Sequence, residues 1–173
     1  MNNKLIISWD EYNKTVEELA IKVHNSGFKV DLLIGIMRGG APIIDTLSRI
    51  FKIKCAYMAV ESYSGEEIED QQGEIIFSRE LSSTAHSLGG NILLCDDLSD
   101  TGLTLNRSIE WLKQYRPIRD NIKEIRTAIL WKKSQSTFEP DYCAKKLKDS
   151  PWIIQPFEKY EEIRIEDLKK SRD

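Results

Sequence analysis

Three acidic side chains, Asp96, Asp97 and Asp100, stand directly before Thr101-Gly102-Leu103-Thr104 in a chain of 173 residues whose net charge is only −3. The threonines and the glycine fall where a loop would enter a helix. Several backbone N–H groups are unpaired at such a turn and two hydroxyls stand beside them, which makes a phosphate cradle. Three carboxylates at that distance would repel a phosphate. The conflict resolves if the ligand carries phosphate at one end and hydroxyls, a metal ion or developing positive charge at the other, as a sugar phosphate does. Asp96 and Asp97 would accept from ribose hydroxyls, and Asp100 would lie near the anomeric carbon and an incoming base. An isolated Asp pair after a strand is more often a plain turn or cap former; the full string, an apolar run followed by three spaced acids and Thr-Gly-x-Thr, is far more specific. A second loop, Met37-Arg38-Gly39-Gly40, suits pyrophosphate, because glycines permit close backbone approach and Arg38 supplies a cation.

The elements needed to position these loops are legible as alternating apolar strands and amphipathic helices. Ser8 and Glu11 have capping-box spacing, and Trp9, Tyr12, Val16, Leu19, Ala20 and Val23 recur at helical intervals up to Gly27. Val30 to Ile36 reads as a strand covered on both faces. Pro42 suits the first turn of the helix that carries Ile43, Ile44, Leu47, Ile50 and Phe51. Lys54–Val60, Asn91–Cys95 and Ile125–Trp131 read as further strands, Glu74–Phe77 as a short one, and Leu105, Ile109 and Leu112 as a helical stripe ending near Tyr115. This pattern predicts an α/β fold with a mainly parallel sheet and right-handed crossovers. Both special loops then leave strand carboxyl ends and face one crevice.

Residues 1–133 are expected to form the core, with a long excursion over about 64–90 as a mobile lid. Residues 134–173, with Pro140, Pro151 and Pro156 and a charged run from Glu158, read as a small peripheral subdomain. The charge balance of 25 basic against 28 acidic residues argues against a nucleic-acid or membrane-surface protein held by bulk charge. No run of about 18 apolar residues occurs. Cys55, Cys95 and Cys143 lack paired spacing and fit reduced thiols in a cytoplasmic protein. His24 and His86 read as structural or solvated.

The run from Ile92 to Leu105, ILLCDDLSDTGLTL, resembles the 5-phosphoribosyl 1-pyrophosphate (PRPP) binding signature of the type I phosphoribosyltransferases. The resemblance implies a Rossmann-like core with a C-terminal hood, magnesium-dependent attack of a nitrogenous base on PRPP, and release of pyrophosphate. It implies that Asp96 and Asp97 hold the ribose hydroxyls, with Asp97 also meeting the metal, that Asp100 assists the base near N7 as the catalytic residue, and that Ser99, Thr101, Gly102 and Thr104 surround the 5′-phosphate. Arg38, Gly39 and Gly40 would bind pyrophosphate. A non-proline cis peptide before Arg38 is also implied, although Met37 departs from the small residue expected there.

Ile129 to Lys132, the Pro140-Asp141-Tyr142 turn, Trp152 to Pro156 and the Ser8-Trp9-Asp10 opening resemble the bacterial xanthine-guanine branch of that family. By that resemblance Lys132 would donate to the 6-oxo group of a purine, Trp152 would stack on the base, and the Ile153 backbone would meet the 2-substituent. A lysine favours 6-oxopurines (xanthine, guanine or hypoxanthine) over adenine, whose amino group would leave the cation unpaired. The lid departs from the family in being acidic at Glu66–Asp70, which leaves Arg79 as its candidate anion contact. The family suggests a homodimer or homotetramer. Two rival readings remain: a PRPP-sensing transcriptional regulator on the same fold, for which no basic helix is found, and a transferase for another base, such as a pyrimidine.

Overall fold

The computed structural model describes residues 4–62, 75–85 and 88–170. The acidic stretch Glu66–Asp70, much of the expected lid and His86 lie outside the described residues.

Strand β1 (Lys4–Ile6) leads into α1 (Trp9–Asn25), which opens on the expected capping box. The Glu11 amide donates to Ser8 Oγ at 3.2 Å and the Ser8 amide to Glu11 Oε2 at 3.0 Å, satisfying two of the helix's free N–H groups reciprocally. Its buried face carries Tyr12, Val16, Leu19, Ala20 and Val23. Then follow β2 (Leu32–Met37), α2 (Gly40–Phe51), β3 (Cys55–Ser62), β4 (Ile75–Phe77), β5 (Ser82–Ser83) and β6 (Gly90–Ser99). The chain continues through α3 (Leu103–Gln114), α4 (Arg116–Arg119), β7 (Ile122–Lys132), β8 (Tyr142–Lys146), β9 (Trp152–Ile154), α5 (Lys159–Glu162) and α6 (Ile165–Lys170).

Seven strands form one sheet in the order β4-β3-β2-β6-β7-β8, with β5 beside β3. The run from β3 to β8 is parallel, and only β4 and β5 pair antiparallel. Both faces are covered, which is why the strands read as continuous apolar runs. Leu33, Leu93 and Leu130 pack toward α1 and α2, whereas Ile34, Leu94 and Ile129 pack toward α3 and α4.

Two expectations are corrected. The strand expected over Asn91–Cys95 runs on to Ser99, because β7 keeps pairing with it through Leu98↔Trp131 and Ser99↔Lys132. Asp96 and Asp97 are therefore strand residues, held by sheet hydrogen bonds, not loop residues beyond them. The expected boundary at residue 133 also moves. β8 is the edge strand of the main sheet, fastened where the Asp141 carboxylate accepts from the Thr127 amide at 2.8 Å and from its hydroxyl at 2.9 Å. Only β9 lies apart, and it pairs in parallel with β1, so the N-terminal strand belongs with the small second sheet. Within the charged run, Lys159–Glu162 and Ile165–Lys170 form α5 and α6.

Removing the capping box tests the helix start. Ser8→Ala should cost about 1 kcal/mol and lower Tm by about 2–4 °C in a chain of this size, with the denaturant m-value unchanged.

Candidate active site

In an open parallel sheet the ligand crevice lies where strand order reverses, outside the carboxyl ends of the strands. Here the order reverses between the neighbours β2 and β6. The loops leaving them, Met37–Gly40 and Asp100–Gly102, are the two singled out from sequence. They meet at very close range. A Cβ on Gly39 would overlap the Asp97 carboxylate, and a Cβ on Gly40 would overlap the Cys95 carbonyl oxygen. Glycine at both positions lets the first loop lie against the end of β6. The Met37–Arg38 peptide is cis.

Asp96 is buried, and its Oδ1 accepts from the Asp97 amide at 3.0 Å. Burial, then the neighbouring Asp97 charge, pushes its carboxyl well above the usual carboxylate range. Asp97 is raised too, chiefly by burial, against a donor from the Gln155 side-chain amide that favours its charged form. Tyr12 and Glu158 feel the same strain: burial raises both, and Asp97 adds to it. A region so loaded with buried acids has room for positive charge. Hard oxygen donors of this kind suit magnesium, which takes one or two carboxylates and completes its shell with phosphate oxygens and water. Among the described residues no group of three or more His, Cys, Asp or Glu could hold a metal by itself.

On one side of Asp97 is a small pocket of about 140 Å³ lined by residues of the segment from Asp97 to Leu105, among them Thr101, Gly102 and Thr104 but not Leu103. Gly102 has φ +88°, and a Cβ there would overlap that of Phe138, so only glycine serves on both counts. The Leu103 amide donates to Thr101 Oγ1 at 3.3 Å. Ser99 also lines this pocket, but its hydroxyl is buried and bonded to Ser136 Oγ at 2.7 Å.

On the other side of Asp97 opens a cavity of about 750 Å³, walled by aromatic residues such as Trp9, Trp152 and Tyr160, with Arg38 and Gly39 at one edge. Trp152 leaves its indole 63% exposed, and Lys133 Nζ stands 5.9 Å from the ring centroid. Lys133 is itself buried and pairs with Asp100 Oδ1 at 3.1 Å. The Gln135 side-chain amide donates to the same oxygen at 2.5 Å. Arg38, largely exposed, pairs with Glu161 at 2.9 Å. Such exposed pairs are worth little and yield readily to a stronger anion.

Residues 8–162 match the family model described as the phosphoribosyl transferase domain. The chain belongs to the phosphoribosyl transferase domain family. It is 29% identical over 116 residues to a hypoxanthine-guanine phosphoribosyltransferase of Bacillus subtilis, covering 65% of this chain and 62% of that protein; the chain thus spans less than two thirds of that curated relative. A purine phosphoribosyltransferase structure from Pyrococcus horikoshii is 28% identical with a TM-score of 0.72, covering 91% of this chain and 94% of the other. A xanthine-guanine-hypoxanthine phosphoribosyltransferase from Helicobacter pylori shares the fold at 22% identity and a TM-score of 0.71, over 96% and 99% of the two chains.

In this family member Arg38, Gly39, Asp97 and Trp152 line the larger cavity and Asp97, Asp100, Thr101, Gly102 and Thr104 the smaller one; Gly40, packed against the end of β6, and the buried Asp96 line neither. Lys132 departs from its expected place. Its ammonium lies 2.5 Å from Glu139, and it is the next residue, Lys133, that reaches Asp100 and Trp152. The Ile153 side chain is core, packed in register with Leu5. Ile154 turns its carbonyl to the Ile7 amide; carbonyl directions alternate along a strand, so the Ile153 backbone groups point away from β1. Arg79 is exposed and lines neither cavity. Missed from sequence were Lys133, Gln135, Gln155 and Glu161. Gln155 alone had a local signal, its position two residues after Ile153.

Burial of the acid pair has a measurable consequence. Because these carboxyls are raised, the native chain keeps protons that the unfolded chain has lost, and stability falls as pH rises from about 4 through the folded values. Asp96→Asn keeps the hydrogen bond from Asp97 and removes a buried charge. We expect it to raise the Tm of ligand-free protein by a few degrees near neutral pH, with the gain shrinking toward about pH 4. Equal Tm at every pH would show that the pair is not strained.

Proposed function

We propose that the chain transfers the 5-phosphoribosyl group from PRPP to N9 of a 6-oxopurine, releasing pyrophosphate and giving a nucleoside monophosphate. The observation that carries this reading is the position of Asp97, shared by a small hydroxyl- and amide-lined pocket and a larger aromatic cavity. That division matches a ligand with a 5′-phosphate at one end and a base and pyrophosphate at the other. The names of the Bacillus and Pyrococcus relatives support a purine as the acceptor.

The Thr101–Thr104 turn would take the 5′-phosphate on backbone amides at the start of α3 and on the Thr104 hydroxyl. Ser99, its hydroxyl engaged by Ser136, would shape the floor of that pocket. Asp96 and Asp97 would accept from the ribose hydroxyls and stabilise the positive charge that builds on the ribose ring as the C1′–oxygen bond to pyrophosphate loosens. The Gly39-Gly40 backbone and Arg38, released from Glu161, would meet the departing pyrophosphate. Magnesium, held by Asp97 and the pyrophosphate oxygens, would neutralise charge on that leaving group.

As N9 forms its bond to C1′, the base must lose the proton on N7, and the Asp100 carboxylate would receive it. Lys133 and Gln135 hold that carboxylate in place. A purine stacked on the exposed face of Trp152 would lie beside Lys133, whose ammonium can donate to a 6-oxo group and not to an amino group. We therefore assign to Lys133 the part expected of Lys132. The Ile153 backbone would read the 2-substituent.

The reading is tested by incubating the protein with PRPP, magnesium and each of hypoxanthine, guanine, xanthine, adenine and a pyrimidine, and following pyrophosphate. Release only with 6-oxopurines is expected. Release with no base, or with the pyrimidine alone, would overturn it. Asp100→Asn should lower kcat by about 10- to 10³-fold. Lys133→Met should raise the KM for the base by about 10-fold or more, while Lys132→Met should leave it near the wild-type value; the reverse pattern would return the role to Lys132.

A further inference from the structure

The Asp97 carboxylate is gripped from two sides. Gly39 presses against it from the β2 loop, so closely that no side chain could stand at that position. From the other side Gln155, just past the end of β9 and only 4% exposed, donates its side-chain amide to Oδ2. The same amide's oxygen, Oε1, is buried with no hydrogen-bond partner among the described residues. A buried carbonyl left unpaired is costly. Turning the amide over would not help, since it would face oxygen against the Asp97 carboxylate. The fold thus keeps an unsatisfied acceptor in order to aim an N–H at one oxygen of one acid, and that acid is the one shared by the two cavities.

We infer that Gln155 is a positioning residue for Asp97: together with the Leu98 amide it fixes the carboxylate's rotation for the sugar hydroxyl of PRPP, at a standing cost to the stability of the empty protein. This deepens the transferase reading and rests on it. Donation to Oδ2 restrains one oxygen, while Gly39 prevents the carboxylate from swinging toward β2. Without the amide, Asp97 keeps its charge and its Leu98 contact but loses the restraint on Oδ2, and the ligand must order that oxygen on binding. The loss falls on PRPP and not on the base, which stacks across the cavity on Trp152.

Gln155→Met nearly preserves length and volume while removing both the donor and the unpaired oxygen. Wild-type pyrophosphate release with a 6-oxopurine first establishes the transferase reading; its absence would fail that reading, not the assignment of Gln155. With turnover established, the variant should show a KM for PRPP raised by about 10-fold or more, a KM for the base within about twofold of wild type, and a Tm equal to or above wild type. Direct titration of PRPP should weaken in proportion. Gln155→Asn, whose amide is one methylene too short to reach Asp97, should weaken PRPP as Met does. An unchanged KM for PRPP in the Met variant, or a fall in its Tm, would overturn the proposal, because the amide would then serve the fold.

Discussion

The molecule is organised around two adjacent carboxylates at the carboxyl end of a central strand, Asp96 buried and Asp97 partly so. Asp96 and Asp97 are raised by burial and, for Asp96, by its neighbour's charge, and among the described residues neither has a lysine or arginine ion pair. The nearest strong donor is the neutral side chain of Gln155. An acid pair left without a cation costs the fold stability, and the arrangement makes sense if the cost is recovered when a ligand brings hydroxyl donors and a metal. Much of the surrounding architecture serves that pair. β6 runs past its expected end to carry the two residues into the crevice, the glycines of the β2 loop admit a backbone approach that any Cβ would block, and the small β1–β9 sheet delivers Gln155 from the opposite wall.

The alternation of strands and helices, the parallel sheet and the meeting of the two loops were all legible in the sequence, because each is written in short-range periodicity and turn chemistry. Ser8 and Glu11 lie three residues apart, and the acidic string with its Thr-Gly-x-Thr is contiguous. What escaped is what depends on distant segments. The Gln155–Asp97 and Arg38–Glu161 contacts join residues 58 and 123 positions apart, and no periodicity reports such a pairing. The end of β6 was misplaced because Asp is a poor strand former by composition; pairing with β7 decided otherwise. The assignment of β8 to a separate unit failed for the same reason: pairing with β7 holds it in the main sheet, and the prolines from Pro140 onward looked like a boundary.

The two adjacent lysines illustrate the limit most sharply. Lys132 is the last residue of β7, and Lys133 is tied to the end of β6 by its amide's bond to the Ser99 carbonyl at 3.0 Å. Adjacent side chains of an extended chain point in opposite directions, and Lys133 Nζ turns to Asp100 while Lys132 Nζ turns to Glu139. A one-residue difference in where the pleat ends exchanges them. A linear motif carries the residue type faithfully and its direction poorly.

We propose that the two loops and the acid pair between them form a single site for a phosphorylated sugar that also bears pyrophosphate. Calorimetric titration with PRPP, with ribose 5-phosphate and with pyrophosphate, each with and without magnesium, tests it most directly. PRPP with magnesium should bind at least about 100-fold more tightly than either fragment, and omitting magnesium should remove most of that advantage. Affinity for pyrophosphate equal to that for PRPP, indifferent to magnesium, would contradict it.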